Sequence, residues 1–120
     1  MYEVIFYSDA DSNEPLAEYL TELRQKSLSD KDARINLNKI IAYIDLLEEH
    51  GTWIGDPVVK YLVDNIWELR PLKNRILFAN YKENIYILLH RFIKKTDKTP
   101  KQEISQAKRN LTDYIKRNDT

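Results

Sequence analysis

The sequence predicts an α+β fold, in which a small antiparallel sheet packs against a two-helix hairpin near the N-terminus and a helix at the C-terminus. Two observations support this class. Residues 65–95 alternate short apolar runs with polar turns, as in a β-meander. Residues 14–50 and 101–117 instead carry apolar side chains at helical spacing. The 120 residues are expected to form one domain, 1–120.

The N-terminal half is predicted to contain a strand followed by two helices. Tyr2 to Ser8 is apolar on both faces, which is typical of a strand covered on both sides. A first amphipathic helix is expected from Pro15 to about Lys26. A second helix is expected from Ser29-Asp30 to a stop at Gly51. The short connection between them predicts an antiparallel hairpin.

The second half is predicted to form the meander and the closing helix. The expected strands are a short edge strand at Val58–Leu62, then Asn65–Pro71, Arg75–Tyr81 and Ile85 to about Lys94. Lys73-Asn74 and residues 82–84 supply the turns. Thr99-Pro100-Lys101-Gln102 resembles a capping box with proline at the first helical position, so the last helix should start there.

Composition indicates an ordinary globular protein of the cytoplasm. Hydrophobic residues make up 42% and charged residues 32% of the chain, and cysteine is absent. The first residues lack the basic start and the long apolar run of a signal peptide. No apolar run approaches the roughly 20 residues that span a bilayer, so no membrane association is expected.

Charge is distributed unevenly along the chain. Residues 1–66 hold 13 acidic and 6 basic residues, whereas residues 67–120 hold 6 acidic and 13 basic residues. Such a chain is neutral overall and can still present a basic face to nucleic acid. The simpler interpretation is that the charges only coat two solvated regions.

The basic residues of the second half are predicted to meet at one rim of the sheet. Arg70 and Arg75 flank the first turn, and the third strand of the meander returns toward that turn. The strand ends in Lys94 and Lys95, and Lys98 follows. Guanidinium and ammonium groups gathered in this way are suited to binding a phosphate.

Three stretches resemble a known family. They are ELR (68–70), RILF (75–78) and HRFIKKTDKTPKQEISQAK (90–108), and together with the order of elements they are similar to HigB toxins, more narrowly to the phage Gp49-like branch of the RelE/ParE toxin superfamily. The resemblance covers nearly the whole chain, and its most specific part is the third stretch. Two features depart from the family: relatives of the RelE kind are strongly basic overall, and their general base is not fixed between branches.

The resemblance implies a toxin of a type II toxin–antitoxin pair that cleaves mRNA on the translating ribosome without metal or cofactor. Its partner would be a HigA-like helix-turn-helix antitoxin, through which alone the pair would contact operator DNA. By the same resemblance, Arg75 matches the arginine that opens the penultimate strand. Lys94 and Lys95 match the basic cluster after the last strand, and Phe92 matches its apolar or aromatic position.

RNA cleavage by internal attack needs a group that takes the 2′-proton, cations that stabilise the phosphorane and an acid for the 5′-oxygen. Arg70 and Arg75 suit the second task, because a guanidinium fork binds two phosphate oxygens. His90 is the only histidine of the basic half and is a candidate for proton transfer; a hydrogen-bonded core histidine is the alternative. Glu68 is a base or, more simply, an ion-pair partner.

The remaining candidates are predicted to bind RNA. Lys94 is assigned to electrostatic catalysis, with a solvated loop as the alternative for it and its neighbours. Strand alternation places His90, Phe92 and Lys94 on one face and Arg91, Ile93 and Lys95 on the other, without showing which face is open. Phe92 either stacks on a base or belongs to the core. The predicted RNA-binding residues are Lys73, Phe92, Lys95 and Lys98.

Two other function classes stay open at this point. A ParE-like toxin would share the fold and inhibit DNA gyrase by protein binding without cutting RNA. A binding module without catalytic activity is the other alternative. The acidic helical hairpin, residues 14–50, is a candidate surface for the antitoxin. Two distant histidines and no cysteine make a structural zinc site implausible, and no phosphate-binding or dinucleotide-binding motif is present.

Overall fold

A computed structural model describes residues 1–119. These residues form three α-helices and five β-strands, and a short 3₁₀ helix at Gly51–Ile54 follows the second α-helix. The elements are β1 (Glu3–Phe6), α1 (Pro15–Ser27), α2 (Lys31–His50), β2 (Val59–Val63), β3 (Ile66–Leu69), β4 (Asn74–Lys82), β5 (Ile85–Ile93) and α3 (Lys101–Asn118).

The five strands form one mixed sheet in the order β1-β5-β4-β3-β2. Strands β2 to β5 pair antiparallel with their neighbours, whereas β1 pairs parallel with β5. The chain enters α1 and α2 after β1, so it crosses the sheet before it returns to β2. This crossover makes a parallel edge possible, because parallel neighbours need a long connection and antiparallel ones do not.

Each face of the sheet is covered by helices. On one face α1 and α2 pack over residues such as Ile76 and Phe78, and on the other α3 packs over Leu77 and Ala79. Strand β4 is therefore apolar on both sides, in agreement with its almost continuous burial. None of the helices within residues 1–119 has the length and apolar character needed to cross a membrane.

The α+β class is confirmed, and the sheet is corrected from antiparallel to mixed. The sequence reveals no partner for the first strand, because an apolar run shows burial but not direction. The turn before β4 also differs, since residues 70–73 connect the strands and Leu72 adopts a φ of 60°.

The helix starts predicted near Asp30 and Thr99 differ in how the N-terminus of the helix is capped. Asp30 caps α2, because its carboxylate accepts hydrogen bonds from the N–H groups of Asp32 and Ala33 at 2.8 and 3.2 Å. The capping box expected at Thr99 is absent: Pro100 is the N-cap of α3 and no side chain caps it. The hydroxyl of Thr99 donates to a strand residue instead, as described below.

A buried phenol connects α3 to the first strand. The hydroxyl of Tyr7 donates to Asp113 Oδ2 at 2.7 Å, and Arg117 donates to the same oxygen. Burial raises the pKa of Tyr7 to about 12, and the Asp113 carboxylate adds to this shift. The folded protein therefore holds the phenolic proton more tightly than the unfolded chain.

This network predicts an alkaline loss of stability. Between pH 10 and about 12 the unfolded chain releases the Tyr7 proton and the folded chain keeps it, so the free energy of unfolding falls as pH rises through this window. Below pH 10 the phenol contributes no pH dependence. Urea unfolding of the wild type and Tyr7→Phe across pH 8–12 measures the effect. The difference in free energy of unfolding between the wild type and Tyr7→Phe should become smaller above pH 10. A difference that stays constant across the pH range contradicts the role of Tyr7.

Candidate active site

Polar side chains line the face of the sheet that α3 covers, at the end near the start of that helix. Strand pairing sets Lys60, Glu68, Leu77 and His90 side by side across four neighbouring strands. One step toward the rim, Arg75 lies opposite Phe92. Strand alternation puts all of these side chains on the same face. The α3 face thus changes from apolar at its centre to charged at this corner.

The buried carboxylate of Glu68 is the centre of the corner. Only 3% of Glu68 is exposed. Its Oε1 lies 3.4 Å from Arg70 Nε and 3.9 Å from Arg75 Nε, and its Oε2 accepts a hydrogen bond from Thr99 Oγ1 at 2.5 Å. The carboxylate therefore holds both arginines and the segment that leads into α3. Of the two predicted roles of Glu68, the structure shows the ion-pair partner.

Arg75 points inward, so the expectation of a guanidinium fork facing a phosphate does not match its placement. Its side chain is only 8% exposed. Its terminal nitrogen donates to the carbonyl oxygens of Leu72 and Asn74 at 2.7 and 2.8 Å. Burial lowers the pKa of Arg75, and the Glu68 carboxylate opposes this shift. Its guanidinium closes the loop before β4, where Leu72 has a positive φ.

Arg70 is held more loosely than Arg75. Its Nε is buried without a hydrogen-bond partner among residues 1–119, and its terminal nitrogen lies 3.6 Å from Asp56 Oδ1. The Arg70 side chain is 23% exposed to solvent. Distances of 3.4 and 3.6 Å are ion pairs without short hydrogen bonds. Of the two arginines, Arg70 is the one that can turn toward a ligand.

His90 forms a hydrogen-bonded pair with Glu103 in the first turn of α3. His90 Nε2 and Glu103 Oε1 are 2.8 Å apart, and each side chain is 23% exposed. An ionised carboxylate only accepts hydrogen bonds, so Nε2 is the donor in this pair. The His90 ring also stacks on Phe92, with a centroid distance of 6.2 Å. This arrangement orients an imidazole as a carboxylate does in acid–base sites.

A hollow of about 330 Å³ opens beside Glu103, whereas His90 itself lines a larger hollow of about 600 Å³ between α1 and β5. Phe92, Lys95 and Glu103 line the smaller hollow, together with Ile93, Pro100 and Gln102. The sequence placed Lys95 on the face opposite Phe92, but β5 ends at Ile93 and the alternation stops there. An exposed ammonium group and an aromatic ring thus face one hollow that is large enough for a nucleotide-sized group.

The other predicted cations are distributed around this corner rather than gathered in it. Lys94 lies at the rim, where its N–H donates to the Lys73 carbonyl and its ammonium is 3.3 Å from Asp97. The Lys73 side chain lines a separate hollow on the face of α1 and α2. Lys98 is exposed on the far side of Thr99 and lines another hollow.

Sequence reasoning missed Glu103 and Thr99, which lie closest to the candidate groups. Both belong to the stretch that was assigned to a helix start, where threonine and glutamate have common capping roles. Their contacts with β5 and β3 depend on where α3 crosses the sheet, and no local pattern encodes that. Within residues 1–119, no set of three His, Asp or Glu side chains is arranged to hold a metal ion.

The chain also matches a protein-family model. Residues 26–112 match the model described as "Phage derived protein Gp49-like (DUF891)". The matched segment runs from the end of α1 to the middle of α3 and includes every residue of the corner described above. No curated protein matches the chain.

Proposed function

Because the chain belongs to the Gp49-like family of phage-derived proteins, a toxin-like family, we propose that it is the toxin of a type II toxin–antitoxin pair and an endoribonuclease that cleaves mRNA on the translating ribosome. The observation that carries this proposal is the His90–Glu103 pair beside the hollow of Phe92 and Lys95. It supplies a proton-transfer group, a cation and an aromatic surface within one corner.

Cleavage would proceed by internal attack. Nδ1 of His90 accepts the proton of the ribose 2′-hydroxyl, while the 2′-oxygen bonds to the adjacent phosphorus. The bond from phosphorus to the 5′-oxygen then breaks, and that oxygen takes a proton from the imidazolium or from water. The products are a 2′,3′-cyclic phosphate and a 5′-hydroxyl end. Glu103 keeps the imidazole oriented and stabilises its charged form.

Cations around the hollow would stabilise the phosphorane. Lys95 lines the hollow directly. Lys94, which is paired with Asp97, and Lys98, which lines another hollow, would add positive potential from farther away. Arg70 would reach the phosphate by leaving its long contacts with Glu68 and Asp56. Arg75 is assigned a positioning role, because its guanidinium is already bound to two carbonyl oxygens. Phe92 would stack on a base next to the cleaved linkage.

The proposal includes the ribosome because a hollow of about 330 Å³ can take one nucleotide-sized group but not a stretch of mRNA. A protein that cannot enclose its substrate gains rate when another body holds the RNA in the reactive geometry. Translating ribosomes present mRNA in this way, so the proposed place of action is the cytoplasm. Lys73, on the other side of the β4 start, is proposed as a further contact to ribosome-bound RNA.

A HigA-like helix-turn-helix antitoxin is the proposed partner, and contact with operator DNA would occur only through it. Residues 14–50, which hold α1 and α2, contain 8 acidic and 5 basic residues and lie on the face of the sheet opposite α3. An antitoxin bound there would leave the basic corner to the RNA. Charge reversals on these helices should then weaken antitoxin binding more than reversals at the corner.

Expression of the wild type, Lys95→Glu and Lys39→Glu in a bacterial host tests the nuclease. Lys95 is exposed in the hollow, and Lys39 is exposed on α2, so both changes reverse one surface charge. We expect new mRNA 5′ ends for the wild type and Lys39→Glu, and about tenfold fewer for Lys95→Glu, since a cation near the phosphate is replaced by an anion.

Mapping DNA breaks in the same cultures separates the two toxin classes. DNA breaks with intact mRNA would contradict the nuclease and support a toxin that inhibits DNA gyrase. Equal mRNA cleavage by Lys95→Glu and Lys39→Glu would remove the hollow from the mechanism.

A further inference from the structure

A groove of about 510 Å³ lies between the edge strand β2 and α3. Four of the residues that line it are lysines, namely Lys60, Lys98, Lys101 and Lys108, and none of the lining residues is acidic. Lys60, Lys98 and Lys101 are exposed. None of these three has a carboxylate partner among residues 1–119, whereas Lys108 binds Asp64 at 2.6 Å.

We propose that this groove, which we call the lysine groove, is the track for the single-stranded RNA that leads away from the cleavage site. This inference rests on the proposed function, because it names where the same substrate lies outside the hollow. Thr99 forms part of the groove wall and binds Glu68, which holds Arg70. Lys60 lies opposite Glu68 in the strand pairing. The groove and the corner therefore share one wall.

The positions of the lysines on α3 fit a nucleic-acid strand. Lys101, Ile104, Ser105 and Lys108 fall on one side of the helix, because helical neighbours recur every three to four residues. Seven residues correspond to about 10 Å along a helix axis. A stacked strand rises about 3.4 Å per nucleotide, so this length matches roughly three phosphates. Lys101 and Lys108 are thus spaced along one side of α3 as phosphates of such a strand would be, with Lys108 already paired to Asp64.

Electrostatics and surface chemistry both favour RNA as the occupant. Several ammonium groups without partners repel one another over distances below about 8 Å at physiological salt, and a chain of phosphates removes that repulsion. The floor of the groove carries apolar groups from Leu62, Val63 and Ile104. Ribose and base surfaces can lie on such a floor while the phosphates face the lysines.

The test measures binding of an RNA oligonucleotide whose 2′-positions are all methylated, so that internal attack is blocked. The affinity is measured at several salt concentrations for the wild type, the groove variant Lys60→Gln/Lys101→Gln and the control Lys31→Gln/Lys39→Gln on α2. Both variants remove two exposed charges, and neither disturbs the Lys108–Asp64 pair. Melting temperatures confirm that all three proteins are folded.

We expect the groove variant to bind about tenfold more weakly at low salt and the control to match the wild type. The slope of log affinity against log salt should become shallower by about 1.4 in the groove variant, because each lost phosphate contact on a single strand removes about 0.7. Equal slopes for both variants would overturn the proposal, as would a wild type that binds no RNA. Equally tight binding of a polyglutamate peptide would overturn it too, in favour of an acidic protein partner.

Cleavage of unmodified mRNA on ribosomes, measured in parallel, separates this inference from the proposed function. A changed salt slope without any mRNA cleavage supports the RNA track and contradicts the nuclease. Cleavage with an unchanged slope supports the nuclease and contradicts the track.

Discussion

We expect His90→Asn to lower the rate of the proposed mRNA cleavage by about 10²–10⁴-fold, the range for removal of a positioned proton-transfer group. Asparagine is smaller than histidine, and its amide nitrogen corresponds to Nδ1 rather than to the Nε2 that contacts Glu103, so the contact with Glu103 is lost together with the imidazole. It cannot take a proton from a 2′-hydroxyl. The rate is measured on programmed ribosomes under single-turnover conditions, so that product release does not hide the chemical step.

Three comparisons distinguish catalysis from a structural role of His90. His50→Asn changes the other histidine, which lies at the end of α2, and should cleave like the wild type. His90→Ala should regain part of its activity with added imidazole, since a free base can occupy the space. Glu103→Gln should cause a smaller loss than His90→Asn, because the amide still accepts a hydrogen bond but does not stabilise an imidazolium. Full activity in His90→Asn removes His90 from the mechanism.

The fold was predictable from the sequence to the extent that it depends on local patterns. Apolar periodicity located all three helices and the strands from β2 to β5, because one-sided or two-sided burial leaves a period in the sequence. The direction of β1 was not predictable, since its neighbour β5 begins about eighty residues later in the chain. No residue pattern within Glu3–Phe6 indicates which strand β1 pairs with.

For the candidate site, the sequence predicted which segments lie near one another but not how their side chains are oriented. The meander topology implied that Arg70, Arg75 and the end of β5 approach one another, and they do so around Glu68. The direction in which each side chain points was not implied. Arg75 turns inward because the loop carbonyls of Leu72 and Asn74 need donors, and this demand comes from the loop conformation rather than from residue types.

Truncating Glu68 is expected to cost about 3–5 kcal/mol of unfolding free energy, because it leaves Arg75 buried without a counter-charge. Truncating Arg75 should cost less, because Glu68 keeps Arg70 at 3.4 Å. Both side chains are less than a tenth exposed, so water cannot replace the lost partner. Glu68→Leu also removes the acceptor of the Thr99 hydroxyl, and Arg75→Met removes the donor to two loop carbonyls. Urea unfolding of each variant at neutral pH measures the cost.

The double variant Glu68→Leu/Arg75→Met decides whether charge or packing causes this loss. With both charges gone, only the partly exposed Arg70 has lost a counter-charge, and it still lies 3.6 Å from Asp56, so the double variant should be clearly more stable than the sum of the single changes predicts. Lys108→Met breaks an exposed ion pair with Asp64 and should leave stability nearly unchanged. Strict additivity of the two single losses would show that Arg75 acts through its loop carbonyls alone. Glu68 also contacts Arg70 and Thr99. Changes to the Glu68–Arg75 pair should therefore affect both the stability of β3 and β4 and the geometry of the candidate active site.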